Sequence, residues 1–227
     1  MTLIKNLIQE GCLKTPRIIE AFRKIRRADF LLQLPTGNPE DVEELAELNE
    51  ALSIGFDQTI SQPLVVAFML ELLAPKEGDK ILDVGSGSGW TSALLAEIVG
   101  EKGKVIAVEI IPELKEFGEK NASKYNFVKK GQVQFILADG SKGFEKEAPY
   151  DKILASAAAE EIPLAWKQQL KIGGRIVAPI GNSIWLFVKK KESMKFPSSP
   201  SSLSHSESSI FDEKEYPGFV FVPLITK

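Results

Sequence analysis

Histidine and cysteine are almost missing from this chain: its 227 residues carry one of each, His205 and Cys12. A lone cysteine excludes an internal disulfide, leaves no Cys/His ligand set for zinc, and suits a reducing cytoplasm. No Ser-His-Asp or Cys-His relay can be assembled either. His205 sits in residues 197–209, PSSPSSLSHSESS, whose composition cannot bury a core and predicts a mobile insertion. There is no lysine-bearing phosphate loop, so phosphoryl transfer loses support along with hydrolysis. Long apolar runs are missing too: nowhere do about 18 apolar residues stand together. The opening MTLIKNLIQE is too short and interrupted for a signal peptide. Neither sign of charge dominates, the formal net charge being −3, so nothing electrostatic invites a nucleic acid. A cytoplasmic monomer with no nucleic-acid or membrane partner is expected.

What is present is a globular composition, 44% hydrophobic and 26% charged. The organising stretch is residues 80–90, KILDVGSGSGW, a buried strand running into a glycine-rich turn, followed by a helix over 91–99. Gly85, Gly87 and Gly89 let a ligand lie against the main chain, and the helix N-terminus offers it unpaired N–H groups. A dinucleotide fingerprint would need its third glycine at position 90, where Trp90 stands, so a pyrophosphate cradle is disfavoured. Asp83, just before the first glycine, suits a cationic ligand that carries an amino group. S-adenosylmethionine is such a ligand. A second strand, 104–108, leads to Glu109, 20 positions past Gly89, where a carboxylate accepts ribose hydroxyls. A third strand, 132–137, leads to Asp139, placed on the same carboxyl edge to receive an adenine amino group. Further strands are expected at 152–156, 175–179, 183–189 and 219–224. Helices are expected at 112–125 and 163–170, the latter stopped by Gly173 and Gly174. Strands and helices alternate, which predicts an α/β fold with a doubly wound, largely parallel sheet.

Ahead of this core the pattern gives helices. Leu3, Ile4, Leu7 and Ile8 mark one that Gly11 ends, and Thr15 caps a second whose first turn holds Pro16. In the second, Ile18, Ile19, Phe22 and Ile25 face inward, while Arg17, Arg23, Lys24, Arg26 and Arg27 read as a solvated face. The acidic run 40–50 reads as a surface helix. Residues 53–63 are too polar for a strand and too punctuated for a helix interior. They form a loop before an apolar helix, 64–73, for which Ser61 reads as the N-cap. Methyl transfer from a sulfonium needs alignment, and an acceptor that is already an anion needs no base. A carboxylate, with a reference pKa of about 4, is such an acceptor. The inventory therefore points to an S-adenosylmethionine-dependent methyltransferase acting on carboxylates.

The strings LIKNL at 3–7, IGFDQTIS at 54–61, MLELL at 69–73 and LDVGSGSG at 82–89 continue with ADG at 138–140 and APYD at 148–151. AAA at 157–159, QLKIGGR at 169–175 and FVPL at 221–224 complete the set. Together they resemble the protein-L-isoaspartate O-methyltransferase family of protein-repair enzymes over nearly the whole chain outside residues 197–209. The resemblance implies a Rossmann-like S-adenosylmethionine-dependent methyltransferase fold with N-terminal helices. It implies methylation of the α-carboxyl of isoaspartyl residues in damaged proteins and peptides, the ester then closing to a succinimide. Ser61 matches the family's active-site serine, which orients the acceptor carboxylate. Gln58, Thr59, Ile60, Ser86, Ile110 and Gly140 join Asp83, the glycines, Glu109 and Asp139 on the cofactor side. Leu64, Val222, Pro223 and Leu224 fall on the substrate side. Many members carry His or an aromatic residue where Leu64 stands, and some carry Thr where Ile225 stands. A single methyltransferase domain, 1–227, is expected, with helices and active-site loop over 1–73 and the cofactor core over 74–190. The insertion at 197–209 and a C-terminal strand over 216–227 complete it. Two other readings share these features: the same fold acting on another carboxylate, and a non-catalytic cofactor-binding module that uses its basic N-terminal helix for interactions.

Overall fold

Apolar residues three and four apart make the N-terminal third helical. In the computed structural model, which describes residues 2–32, 38–191 and 210–226, α1 (Leu3–Gln9), α2 (Pro16–Lys24) and α3 (Pro39–Ala46) precede a β-hairpin. The hairpin, β1 (Leu52–Gly55) paired with β2 (Gln58–Ile60), occupies the stretch expected to be a loop. The polar sequence misleads because the turn is tight: Phe56 and Asp57 both take positive φ, the two-residue turn whose twist matches a hairpin. Next comes α4 (Pro63–Leu73), whose N-cap is Gln62 rather than Ser61 and has no side-chain cap bond. Thr15 holds the N-cap position of α2 without capping it. Its hydroxyl donates to Glu71 of α4 (2.7 Å), and Glu71 also accepts the N–H groups of Lys14 and Thr15, so a neighbouring helix anchors the entry to α2.

The basic face of α2 is only partly solvated. Arg17 donates to the Ile98 carbonyl (3.0 Å) and Lys24 pairs with Glu97 (2.8 Å). Arg27, just past the helix, is 5% exposed, against the expectation that it faces out.

The main sheet starts with β3 (Lys80–Val84), β4 (Lys104–Glu109), β5 (Val133–Leu137), β6 (Tyr150–Ala155) and β7 (Leu170–Ile180). It ends with β8 (Ser183–Lys189) and β9 (Phe211–Pro217). Their order is β5-β4-β3-β6-β7-β8-β9, parallel through β7 and antiparallel at the last two. The order reverses direction between β3 and β6, and the carboxyl ends there frame the crevice in which open α/β sheets bind ligands. Two expectations shift. The last sheet strand is β9, whereas the strand expected at 219–224 keeps only a single bridge, Pro223 to Ala158. Gly173 and Gly174 lie within β7, not at a helix stop, where the register with β6 breaks between Tyr150 and Lys152. The helix before them, α7 (Leu164–Gln169), is shorter than expected. Residues 197–209, with His205, lie outside the described residues.

Both sheet faces are covered, so its central strands are apolar almost without interruption. Ile81, Val105, Ala107, Leu154 and Val177 pack on one side with α4, α5 (Trp90–Val99) and α6 (Pro112–Ser123). Leu82, Val84, Ile106, Ile153 and Ile176 pack on the other with Trp166 of α7. Gly89 and Gly118 set how closely α5 and α6 approach: a Cβ on Gly89 would come within 2.6 Å of the Gly118 carbonyl oxygen.

Candidate active site

Asp83 is the last residue but one of β3, between Ala107 and Leu154, fully buried, on the face that α5 covers. Ser92 of α5 donates to its Oδ2 (2.6 Å), while Oδ1 has no partner among the described residues. Burial pushes the Asp83 carboxyl up to about 7; the Ser92 bond opposes this and nearby Glu109 adds to it. Glu109, at the end of β4, is differently placed. Its Oε2 accepts the Gly87 N–H (2.9 Å) and its Oε1 those of Ile110 (2.8 Å) and Ile111 (3.1 Å), so it fastens the glycine loop to the neighbouring strand end. A carboxylate has about four lone-pair sites, so about one stays open to a ligand hydroxyl without displacing a backbone donor.

Three concavities meet at this edge. A cleft of about 560 Å³ is lined by Gln58, Gly85, Gly87, Glu109, Ile110, Gly140 and residues 222–225. A smaller cavity of about 260 Å³ lies among Ile60, Ser61, Ser86, Ser88, Trp90 and Thr91. A groove of about 660 Å³ runs past Ser61, Gln62, Val65 and residues 220–222. Thr59 and Ser156 line all three. The Ser61 hydroxyl makes no hydrogen bond within the described residues; only its carbonyl is engaged, by Arg27.

Some expected residues stand elsewhere. Gly89 is outside the linings of all three concavities, and helix packing accounts for it. Asp83, buried beneath Val84 and Gly85 of the cleft, and Asp139 are also outside them. The Oδ1 of Asp139 accepts the N–H and hydroxyl of Ser141 and its Oδ2 faces Lys142 at 3.1 Å, so it caps a short turn and leaves Gly140 to line the cleft. Leu64 is outside the lining of the groove, its N–H held by Asn49; both it and Val65 pack partly buried against the core, and Val65 alone of the two also lines the groove.

The profile of the family described as protein-L-isoaspartate(D-aspartate) O-methyltransferase (PCMT) matches residues 1–200. The chain belongs to this family. It is 45% identical over 191 residues to protein-L-isoaspartate O-methyltransferase 2 of Archaeoglobus fulgidus, covering 84% of this chain and 82% of the relative. It is 37% identical to the protein-L-isoaspartate O-methyltransferase of Methanopyrus kandleri, covering 98% and 89%. A Plasmodium falciparum chain crystallised with S-adenosyl-L-homocysteine superposes with a TM-score of 0.78 at 20% identity, covering 99% of this chain and 97% of that one, a likeness of fold.

In this member of the protein-L-isoaspartate O-methyltransferase family the geometry adds residues that sequence reasoning passed over. Ser156 and Ala157 follow β6 directly, at the switch point of the strand order, and that position was a usable signal. Ile54, Leu114 and Val65 carried none, since an apolar residue on a hairpin or helix reads as core whichever way it faces.

Proposed function

We propose that this chain transfers the methyl group of S-adenosylmethionine to the α-carboxyl of L-isoaspartyl residues in damaged proteins and peptides, with Ser61 orienting the acceptor. The observation that carries the reading is the Ser61 hydroxyl. Among the described residues it is free of partners, and it stands on the boundary between the groove and the cavity beside the glycine loop, in a chain of this family. The residues also fit the cofactor. Asp83 keeps a buried oxygen without a donor, and a Cβ on Gly85 would find nothing closer than 3.8 Å, so the main chain there is open to close approach.

When bound, the cofactor supplies a methyl group on a sulfonium, which passes to an acceptor carboxylate oxygen and leaves S-adenosylhomocysteine. The chain's own task is alignment. Gly85, Gly87, Glu109, Ile110, Gln58 and Thr59 of the cleft, with Ile60 and Ser86 of the adjoining cavity, would hold the cofactor, and Asp83 would accept a hydrogen bond from its cationic amino group. Gly89 and Asp139 support the loops. An isoaspartyl carboxylate with a reference pKa of about 4 is already an anion at neutral pH, so Ser61 need only donate a hydrogen bond and no base is required. Val222 flanks the acceptor in the groove, with Val65 in the place expected of Leu64, while Pro223 and Leu224, expected on the substrate side, line the cofactor cleft. The chain is read as a single cytoplasmic methyltransferase domain, monomeric, with no nucleic-acid or membrane partner. No helix among the described residues is long and apolar enough to cross a membrane.

The test is incubation with labelled S-adenosylmethionine and a matched pair of peptides, one isoaspartyl and one aspartyl, counting base-labile methyl ester. Label on the isoaspartyl peptide alone is expected. Label on neither, with cofactor still bound, would move the reading to another carboxylate.

A further inference from the structure

One buried cation in the N-terminal third has no carboxylate. Arg27 opens the short turn Arg27–Phe30 after α2, and among the described residues no acidic side chain pairs with it. Its guanidinium is bonded instead to main-chain carbonyls. Nη1 donates to Leu48 (2.9 Å) and more weakly to Ala46 (3.4 Å). Nη2 donates to Glu50 (2.7 Å) and Ser61 (3.3 Å). Glu50 precedes β1 and Ser61 follows β2, so a single nitrogen grips both ends of the hairpin that carries Ile54, Gln58 and Thr59 to the cleft. The other face of the guanidinium lies 5.5 Å from the centre of the Trp90 ring. Trp90 is the first residue of α5, directly after the glycine loop, and it lines the small cavity together with Ser61.

Burying a cation against dipoles alone is unfavourable, and an apolar side chain of similar volume would fill the space with less penalty. The desolvation lowers the Arg27 pKa to about 10, so the group stays charged at neutral pH. A planar fork can bridge carbonyls from separate segments while stacking on an aromatic ring, which neither lysine nor an apolar residue can do. Arg27 thus touches the exit of α3, both feet of the hairpin and the start of α5.

We propose that Arg27 is a positioning residue for methyl transfer: it fixes the Ser61 backbone relative to the glycine loop, and so sets the alignment of the acceptor carboxylate with the cofactor. The proposal rests on the isoaspartyl reading of Ser61. A displacement of about 1 Å in such an alignment is enough for about a hundredfold loss of rate.

The experiment is a double-mutant cycle between Arg27→Met and Ser61→Ala, measuring kcat and KM for the isoaspartyl peptide and the affinity for S-adenosylhomocysteine by calorimetry. Arg27→Met is expected to lower kcat about 30- to 100-fold in the natural background and no more than about threefold once Ser61 is alanine, because its effect runs through that residue. Cofactor affinity is expected to fall by less than kcat, no more than about tenfold, since Gln58 and Thr59 ride on the same hairpin while Asp83 and Glu109 are not among the contacts of Arg27. Arg27→Lys keeps the charge and the ring contact but loses the fork. It is expected to fold and to lose about tenfold in kcat, and it carries the test if Arg27→Met does not fold. Equal losses in both Ser61 backgrounds, or lower melting temperature and cofactor affinity with kcat intact, or an Arg27→Lys variant with full kcat, would overturn the proposal. A natural protein that methylates no isoaspartyl peptide would remove the activity reading, and this proposal with it; an active one with additive mutants would remove this proposal alone.

Discussion

The cofactor cleft and the acceptor groove share Thr59 and Ser156, yet they are made of different material. On the cleft side the polar groups stand at the ends of β3 and β4, strands paired on both edges, and each carboxylate is oriented by a hydrogen bond: Asp83 by Ser92, Glu109 by three backbone N–H groups. On the groove side Ser61 and Gln62 follow a two-stranded hairpin, and residues 220–222 belong to a tail bonded by its backbone only at Asn182 and Ala158 among the described residues, with Val220 87% exposed. The sheet itself organises the cleft. The groove takes its shape from loops, and a loop holds a reacting geometry only where something such as Arg27 fixes it. Cofactor binding and acceptor alignment should therefore be separable by mutation.

The largest separation is expected from Ser61→Ala. Removing the hydroxyl takes away orientation of the acceptor and nothing that Asp83 or Glu109 holds. Turnover of an isoaspartyl peptide should fall about a hundredfold, close to 3 kcal/mol in barrier, with cofactor affinity within about twofold. Calorimetry alongside steady-state rates checks both. A parallel loss of affinity and rate would mean that the two regions are one site and that the contrast is false. Unchanged rate with lower melting temperature would return Ser61 to a structural role.

Asp83 breaks the comparison from the other side. Asp83→Asn keeps the shape and removes the charge, so S-adenosylmethionine should bind more weakly by roughly 1.5–3 kcal/mol, the range of a charge-assisted hydrogen bond, while kcat at saturation changes little. The same group gives a pH signature. In the free protein burial holds its carboxyl up to about 7, and a cationic ligand binds the ionised form. Affinity should therefore be flat above neutrality and fall as pH drops, by about tenfold toward pH 6, and Asp83→Asn should abolish the slope. In the ligand-free protein the shift works against stability as pH rises from the ordinary carboxylate range to about 7, because the native state retains a proton that the unfolded chain has released.

This contrast also explains what the sequence made legible. The strands and the glycine turn announce themselves because β3, β4 and β6 are buried on both faces and read as apolar runs, and because a strand-end acid has few other places to be. The hairpin at Leu52–Ile60 was hidden since its strands are short, polar and closed by Phe56 and Asp57 at positive φ, where Asn or Gly would have been the signal. Arg27 was misread because charge at the end of an amphipathic helix is normally solvated, and nothing local says that carbonyls from residues 46–61 will close over it. Asp139 and Gly89 carried the right pattern for ligand contact but are accounted for by a turn and a helix contact. Local pattern shows where a residue lies along an element, and tertiary approach decides what it meets.

Leu64 and Val65 give the smallest and sharpest test. Adjacent residues at the start of α4 both pack against the core, but only Val65 also lines the groove with Ser61 and residues 220–222. If loops alone shape the acceptor side, a side chain anchored on the helix should matter only through the surface it lends the peptide. Val65→Ala removes two methyl groups from a partly covered contact, about 1 kcal/mol, and should raise peptide KM about fivefold with kcat and cofactor affinity unchanged. Leu64→Ala should leave KM alone and lower the melting temperature, because it takes its volume from the core instead. The reverse assignment, with KM following Leu64, would mean that the groove continues around the other side of α4. The acceptor side would then owe more to a rigid helix than the loops suggest.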